Sequence, residues 1–180
     1  MKKIVYSVLA PLLTLGLSVS ASAELARGTK APQVVTQGAL AGKAFDFNLA
    51  DALKKGPVVL YFFPKAFTQG CTLEANAFAE AMPEFRAAGA TVVGMSADDV
   101  DTLKKFSTEE CRDQFAVASA SPATVKAYDV GLVMNGENTG LTDRTSYVIG
   151  TDGTVRMVHS DLDWRKHVSL SLAAVKSLQN

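Results

Sequence analysis

Cysteine and histidine are scarce in this chain: two of each among 180 residues, with a single tryptophan. Two cysteines cannot build a disulfide scaffold, and no C-x-x-C occurs, so the usual redox pair of a thioredoxin-type disulfide exchanger is missing. His159 and His167 stand eight residues apart with no cysteine nearby, a poor spacing for metal binding. Neither sign of charge dominates. Eighteen Lys and Arg balance eighteen Asp and Glu, and no block of like charge exceeds two neighbours. That removes the electrostatic footprint of nucleic-acid binding and excludes an acidic or basic interaction tail. Low-complexity tracts and repeats at solenoid spacing are absent. His159, Ser160 and Asp161 are adjacent, but the nucleophile elbow of a serine hydrolase is not there. Gly136 and Gly140 sit in a polar segment rather than a phosphate cradle. What remains is 48% hydrophobic and 20% charged, enough for one domain with a buried core.

The N-terminus reads as an address. Lys2 and Lys3 form a basic start, no charge follows from Ile4 through Ala23, and Ala21-Ser22-Ala23 offers small residues where a signal peptidase cuts. The alternative is an uncleaved membrane anchor, since a spanning helix needs roughly 20 apolar residues. Small polar residues at the end of the stretch favour cleavage. The mature chain, 24–180, then keeps sixteen basic and eighteen acidic side chains. It is expected to be exported, periplasmic, free of the membrane after cleavage, and a monomer or weak homodimer. Its two cysteines, Cys71 and Cys111, work where disulfides persist.

Strand and helix patterns alternate along the mature chain. Short strands are expected at 33–36 and 44–48. The continuous run 57–63, stopped by Pro64, belongs to a strand buried on both faces. Cys71, Ala75, Phe78, Met82 and Phe85 recur at helical steps, with Pro83 predicting a kink or a break into two helices. A second buried strand covers 90–95. Asp98 or Asp99 caps a helix bearing Val100, Leu103 and Phe106. Residues 115–117 form a short strand, 122–128 a short helix, and 131–142 a mobile surface loop. A hairpin joins 146–149 to 154–159, and a closing helix spans 164–178, in which Trp164 and His167 read as packing residues. This order implies an α/β fold: a mostly parallel sheet with helices on both faces and an antiparallel hairpin, compatible with a thioredoxin-like domain.

The segment between the first buried strand and the following helix, 64–72, lies where open α/β sheets bind ligands. Cys71 falls in the first helical turn, where free N–H groups and the helix dipole favour a negative charge on a thiol. Thr68 can cap that helix or offer its hydroxyl to a ligand. On position alone, Cys71 reads equally well as a small buried hydrophobe.

Pro64, Thr68 and Cys71 match the P-x-x-x-T-x-x-C signature of peroxiredoxins, and Thr72 continues it. Segments 58–63, 89–96 and 145–153 also resemble that family. The run F-P-K-A-F-T-Q-G-C-T-L-E-A is most similar to its Q-type, bacterioferritin-comigratory branch. The resemblance implies a thioredoxin fold and reduction of hydroperoxides by Cys71 through a sulfenic acid, with no cofactor and no metal. It implies that Pro64 shields the sulfur and that Thr68 and Arg144 hold the peroxide. Viewed without the family, Arg144 is a surface partner of Asp143. Two departures stand out. Gln69 replaces a common proline, and Asn76 occupies the place five residues after Cys71 where many Q-type members carry a resolving cysteine. Cys111 is then the candidate resolving cysteine, disulfide-bonded to Cys71 during turnover, as in a second group of Q-type enzymes. It can also be a packing residue or a fixed disulfide partner. The implied partner is a thioredoxin-like or other dithiol reductant. The rivals are a one-cysteine peroxidase served by an outside thiol, and a non-catalytic thiol sensor or binding module on the same scaffold.

Overall fold

Period-two alternation in the buried strands divides the core into two layers. In a computed structural model of the protein, residues 24–179 are described; the expected signal segment, 1–23, lies outside them. Strand β1 (Val35–Leu40) turns into β2 (Lys43–Asn48), and α1 (Leu49–Leu53) follows. The apolar run beginning at Pro57 yields β3 (Val58–Phe62), every residue of it buried. Successive side chains on a strand point to opposite faces. Val59, Tyr61 and the next residue, Phe63, therefore enter one hydrophobic cluster, and Val58, Leu60 and Phe62 the other.

Next come α2 (Gln69–Ala87), β4 (Thr91–Ser96), α3 (Val100–Glu109), β5 (Ala116–Ser119) and α4 (Pro122–Tyr128). The chain closes with β6 (Gly131–Met134), β7 (Glu137–Thr142), β8 (Thr145–Ile149), β9 (Val155–Ser160), a 3-10 turn (Trp164–Lys166) and α5 (His167–Ser177). Seven strands form one sheet in the order β2-β1-β5-β4-β3-β8-β9. β3, β4 and β5 are parallel at its centre. β1 and β8 flank them antiparallel, and β2 and β9 reverse again, so five of seven strands point one way. Phe78, Met82, Leu103, Phe106 and Val175 bring α2, α3 and α5 onto one face; Leu49, Leu53 and Tyr128 bring α1 and α4 onto the other. This is the thioredoxin-like α/β arrangement.

Two segments differ from expectation. Residues 131–142, read as a mobile loop, form the β6-β7 hairpin, paired apart from the main sheet. Its turn is Asn135-Gly136, both at positive φ (53° and 81°), the backbone that a tight two-residue hairpin turn requires. The Asn-Gly pair was the signal for it. Helix α2, in turn, does not divide into two helices at Pro83 but continues through it. The lost hydrogen bond and ring clash cost about 3 kcal/mol. Burial of Phe78, Met82 and Phe85 along the same face offsets that.

Candidate active site

The loop between β3 and α2 is held from below and turned by strain. Phe63 N–H bonds the Met95 carbonyl (2.9 Å), and Pro64, half-buried, ends the strand. Ala66 N–H donates to Asp98 Oδ2 (2.8 Å), which also accepts from Ser96 Oγ (2.8 Å). The two candidate caps thus separate: Asp99 caps α3 through Thr102 N–H (2.7 Å), and Asp98 anchors the loop. Phe67 adopts a left-handed φ of 63°, rare for a bulky residue, and its ring sits edge-on to Phe106 at 5.3 Å. Thr68 is the N-cap residue, but its hydroxyl makes no cap bond and donates to the Lys65 carbonyl (2.9 Å). That leaves its oxygen as an acceptor at an exposed position.

Cys71 is the third residue of α2, among N–H groups that have no intrahelical partner. It is only 1% exposed. Arg144 reaches it because β8 runs antiparallel to β3: Thr145 pairs with Phe62, so the residue before β8 lies beside the strand end that launches the loop. The guanidinium makes three directed contacts. Nη2 donates to Cys71 Sγ (3.5 Å), Nη1 to Glu74 Oε2, and Nε to the Leu162 carbonyl (2.9 Å). A Cβ at Gly70 would lie 3.2 Å from Nη2, so the bare backbone there lets the guanidinium sit close over the helix start. The surface pairing of Arg144 with Asp143 is overturned. Arg144 is 5% exposed, and the Asp143 carboxylate accepts from Thr145 Oγ1 (2.8 Å) instead.

Behind Arg144 lies a polar cluster that sequence reasoning missed. Glu74, fully buried, follows Cys71 by three residues on one helix face, and that spacing was the available signal. Burial pushes its carboxyl up to about 8, against the opposing pull of Arg144. His167, expected to be mere packing, is fully buried with Nδ1 at 2.8 Å from Ser146 Oγ and 3.7 Å from Glu74 Oε1. Its Nε2 lies 2.9 Å from the Asp161 carbonyl, and its ring is 4.6 Å from that of His159. Burial pushes His167 down to about 4, although the Asp161 hydrogen bond works the other way.

Cys111 follows the end of α3, its N–H bonded to the Phe106 carbonyl (3.0 Å). Both thiols are free. They belong to one hydrophobic cluster, and burial pushes the Cys111 thiol upward. Asn76 links the two regions: its Nδ2 donates to the Thr72 carbonyl (2.8 Å) and to Glu110 Oε2 (3.1 Å), beside Cys111. The arrangement as a whole is a nucleophile at a helix N-terminus with a buried cation on its sulfur, suited to attack on a polarised oxygen.

Comparison with known proteins agrees with that chemistry. The AhpC/TSA family model matches residues 27–158. The chain belongs to the AhpC/TSA family. A peroxiredoxin of Mycobacterium tuberculosis is 34% identical over 135 residues, covering 74% of this chain and 86% of the relative. The crystal structure of the peroxidoxin BcpB from the same organism superposes with a TM-score of 0.75 at 29% identity. It covers 86% of this chain and 98% of that one. A chloroplastic peroxiredoxin Q of Suaeda salsa is 32% identical over 126 residues, 69% of this chain. The match spans 58% of that plant protein's length. These relatives place the chain with the peroxiredoxins of the Q and bacterioferritin-comigratory type.

Proposed function

We propose that the protein is a thiol-dependent peroxidase that reduces hydrogen peroxide and organic hydroperoxides. One observation carries this reading: the Arg144 guanidinium, 3.5 Å from Cys71 Sγ, at the first turn of α2. A cation and a helix N-terminus both favour the thiolate. The thiolate attacks the distal peroxide oxygen in line with the O–O bond. The S–O bond forms as O–O breaks, sulfur loses two electrons, and the departing alkoxide or hydroxide takes a proton to become alcohol or water. Thr68 and Arg144 hold the peroxide and stabilise charge on the leaving oxygen, and Pro64 shields the sulfur. The product on Cys71 is a sulfenic acid.

Cys111 then attacks the sulfenic sulfur, water departs, and an intramolecular disulfide forms. A thioredoxin-like or other dithiol reductant reopens it by exchange. Residues 1–23 serve as a cleaved signal, which places the mature domain in the periplasm as a monomer or weak homodimer. The decisive experiment is peroxide consumption by the full chain with a dithiol reductant. Cys71→Ser should abolish consumption with an unchanged far-UV circular dichroism spectrum. A Cys71→Ser protein that consumes peroxide at a comparable rate would overturn the assignment.

A further inference from the structure

Four ionisable side chains share one buried volume at the start of α2: Cys71 (1% exposed), Glu74 (0%), Arg144 (5%) and His167 (0%). Their charges have to balance, because net charge out of water is costly. Arg144 is a cation in every state. With Cys71 as thiolate and Glu74 as carboxylate, one cation serves two buried anions and the set carries a surplus negative charge. One additional proton restores neutrality, and the geometry indicates where it sits.

The Asp161 carbonyl can only accept, so His167 Nε2, 2.9 Å away, carries the ring hydrogen. Burial favours the neutral ring; in that state Nδ1 is a lone pair, and Ser146 Oγ–H donates to it (2.8 Å). Glu74 Oε2 is taken by Arg144. Glu74 Oε1 is fully buried, has no hydrogen-bond partner, and faces that ring at 3.7 Å. As a carboxylate oxygen it is an unpaired acceptor aimed at another acceptor. As a carboxylic acid it is uncharged, and the four side chains together are neutral.

We propose that Glu74 holds the proton given up by Cys71 for as long as the thiolate waits for peroxide, and releases it when the sulfur loses its charge. The proposal rests on the peroxidase reading for its chemical step. First, thiol and Glu74 carboxylate become thiolate and carboxylic acid. Thiolate and hydroperoxide then give sulfenic acid and alkoxide. Alkoxide finally takes the Glu74 proton to give alcohol and restore the carboxylate. The sum is thiol plus hydroperoxide to sulfenic acid plus alcohol, and no further reactant enters. The burial effects point the same way. Between these two groups, the carboxyl raised to about 8 holds a proton in preference to the imidazole lowered to about 4. The groups facing Glu74 are Arg144 ahead of β8, His167 on α5 and Tyr61 on β3, and Cys71, three residues earlier on the same helix, shares the Arg144 guanidinium with it. Those facing His167 are Ser146 on β8, His159 on β9, Asp161 after β9, and Arg144.

Infrared difference spectroscopy of the reduced, full-length protein near neutral pH reads this proton directly. A protonated-carboxyl C=O band is expected in the reduced protein, lost after one equivalent of hydrogen peroxide and absent from Glu74→Gln. Labelling with 13C-glutamate should shift the band to lower frequency in the wild type, which assigns it to a glutamate even if Glu74→Gln does not fold, and Glu74 is the fully buried glutamate among the described residues. Alkylation of Cys71 with iodoacetamide also discharges the sulfur and should erase the same band without any peroxide chemistry. Loss on alkylation without peroxide turnover would support the proton's placement while refuting the peroxidase reading. A reduced protein with no such band, or a band that survives both peroxide and alkylation, overturns the proposal.

Discussion

Replacing Arg144 by methionine removes a buried cation that sits 3.5 Å from Cys71 Sγ and leaves the side chain roughly the same volume. At that distance an effective dielectric constant of about 20 gives roughly 5 kcal/mol of attraction to a thiolate, an upper bound. A hydrogen bond to a charged group is worth about 1.5–3 kcal/mol net, or roughly 10- to 150-fold in thiolate population. Loss of a donor to the leaving oxygen adds to this, and single donors of that kind contribute about 10²- to 10³-fold to rate. The peroxide rate constant of Arg144→Met should therefore fall by about 10²- to 10³-fold or more. Stopped-flow oxidation of the reduced protein measures the peroxide step. Iodoacetamide alkylation of Cys71 measures the thiolate alone, and it should slow by the smaller factor. Arg144→Lys is the control. It keeps the charge, but one ammonium cannot span Cys71 Sγ, Glu74 Oε2 and the Leu162 carbonyl together, so an intermediate rate is expected. Peroxide kinetics of Arg144→Met within about threefold of wild type would refute the argument.

Three further outcomes are expected. Thr68→Val keeps the shape of the loop but removes the hydroxyl that donates to Lys65, and should lower the peroxide rate more than the alkylation rate of Cys71; equal effects on both would count against a substrate contact. His167, lowered from 6.5 to about 4 by burial, contributes stability that is complete above pH 6.5 and is lost as pH falls through 4. Glu74, raised to about 8, gains stability over the same window, so the readout is the difference between proteins: from about pH 7 to about pH 4.5 the wild type should lose on the order of 2–3 kcal/mol relative to His167→Asn in urea unfolding; an identical pH dependence in the two proteins would show that the ring stays charged when folded. One peroxide equivalent should convert both thiols to a Cys71–Cys111 peptide pair by mass spectrometry, with no dimer on a non-reducing gel. Cys111 is fully buried and Asn76 ties α2 to Glu110, so the bridge is expected to form with local opening of the first turn of α2. A lasting sulfenic acid on Cys71 with Cys111 still alkylatable would leave the one-cysteine cycle in its place.

Much of this protein is legible in its sequence, because local chemistry dictates it. A doubly buried β3 followed from an unbroken apolar, β-branched run, and α2 from apolar residues spaced at threes and fours. The P-x-x-x-T-x-x-C spacing placed Cys71 at a helix start, since a strand, a short loop and a helix are all local in the chain. Arg144 was reached only by resemblance: its own neighbours suggested a surface pair with Asp143. What put it on Cys71 is the antiparallel register of β8 against β3, a pairing between residues more than eighty positions apart. Glu74 looked like one charged residue on a helix, and His167 like packing. Each became part of the site when α2, α5 and the start of β8 closed around the same buried volume. Periodicity and motifs report which side chains face inward, and there the sequence is sufficient. Which inward-facing polar groups meet, and so which charges must share a proton, depends on long-range strand order and helix packing, and those exist only in the folded chain.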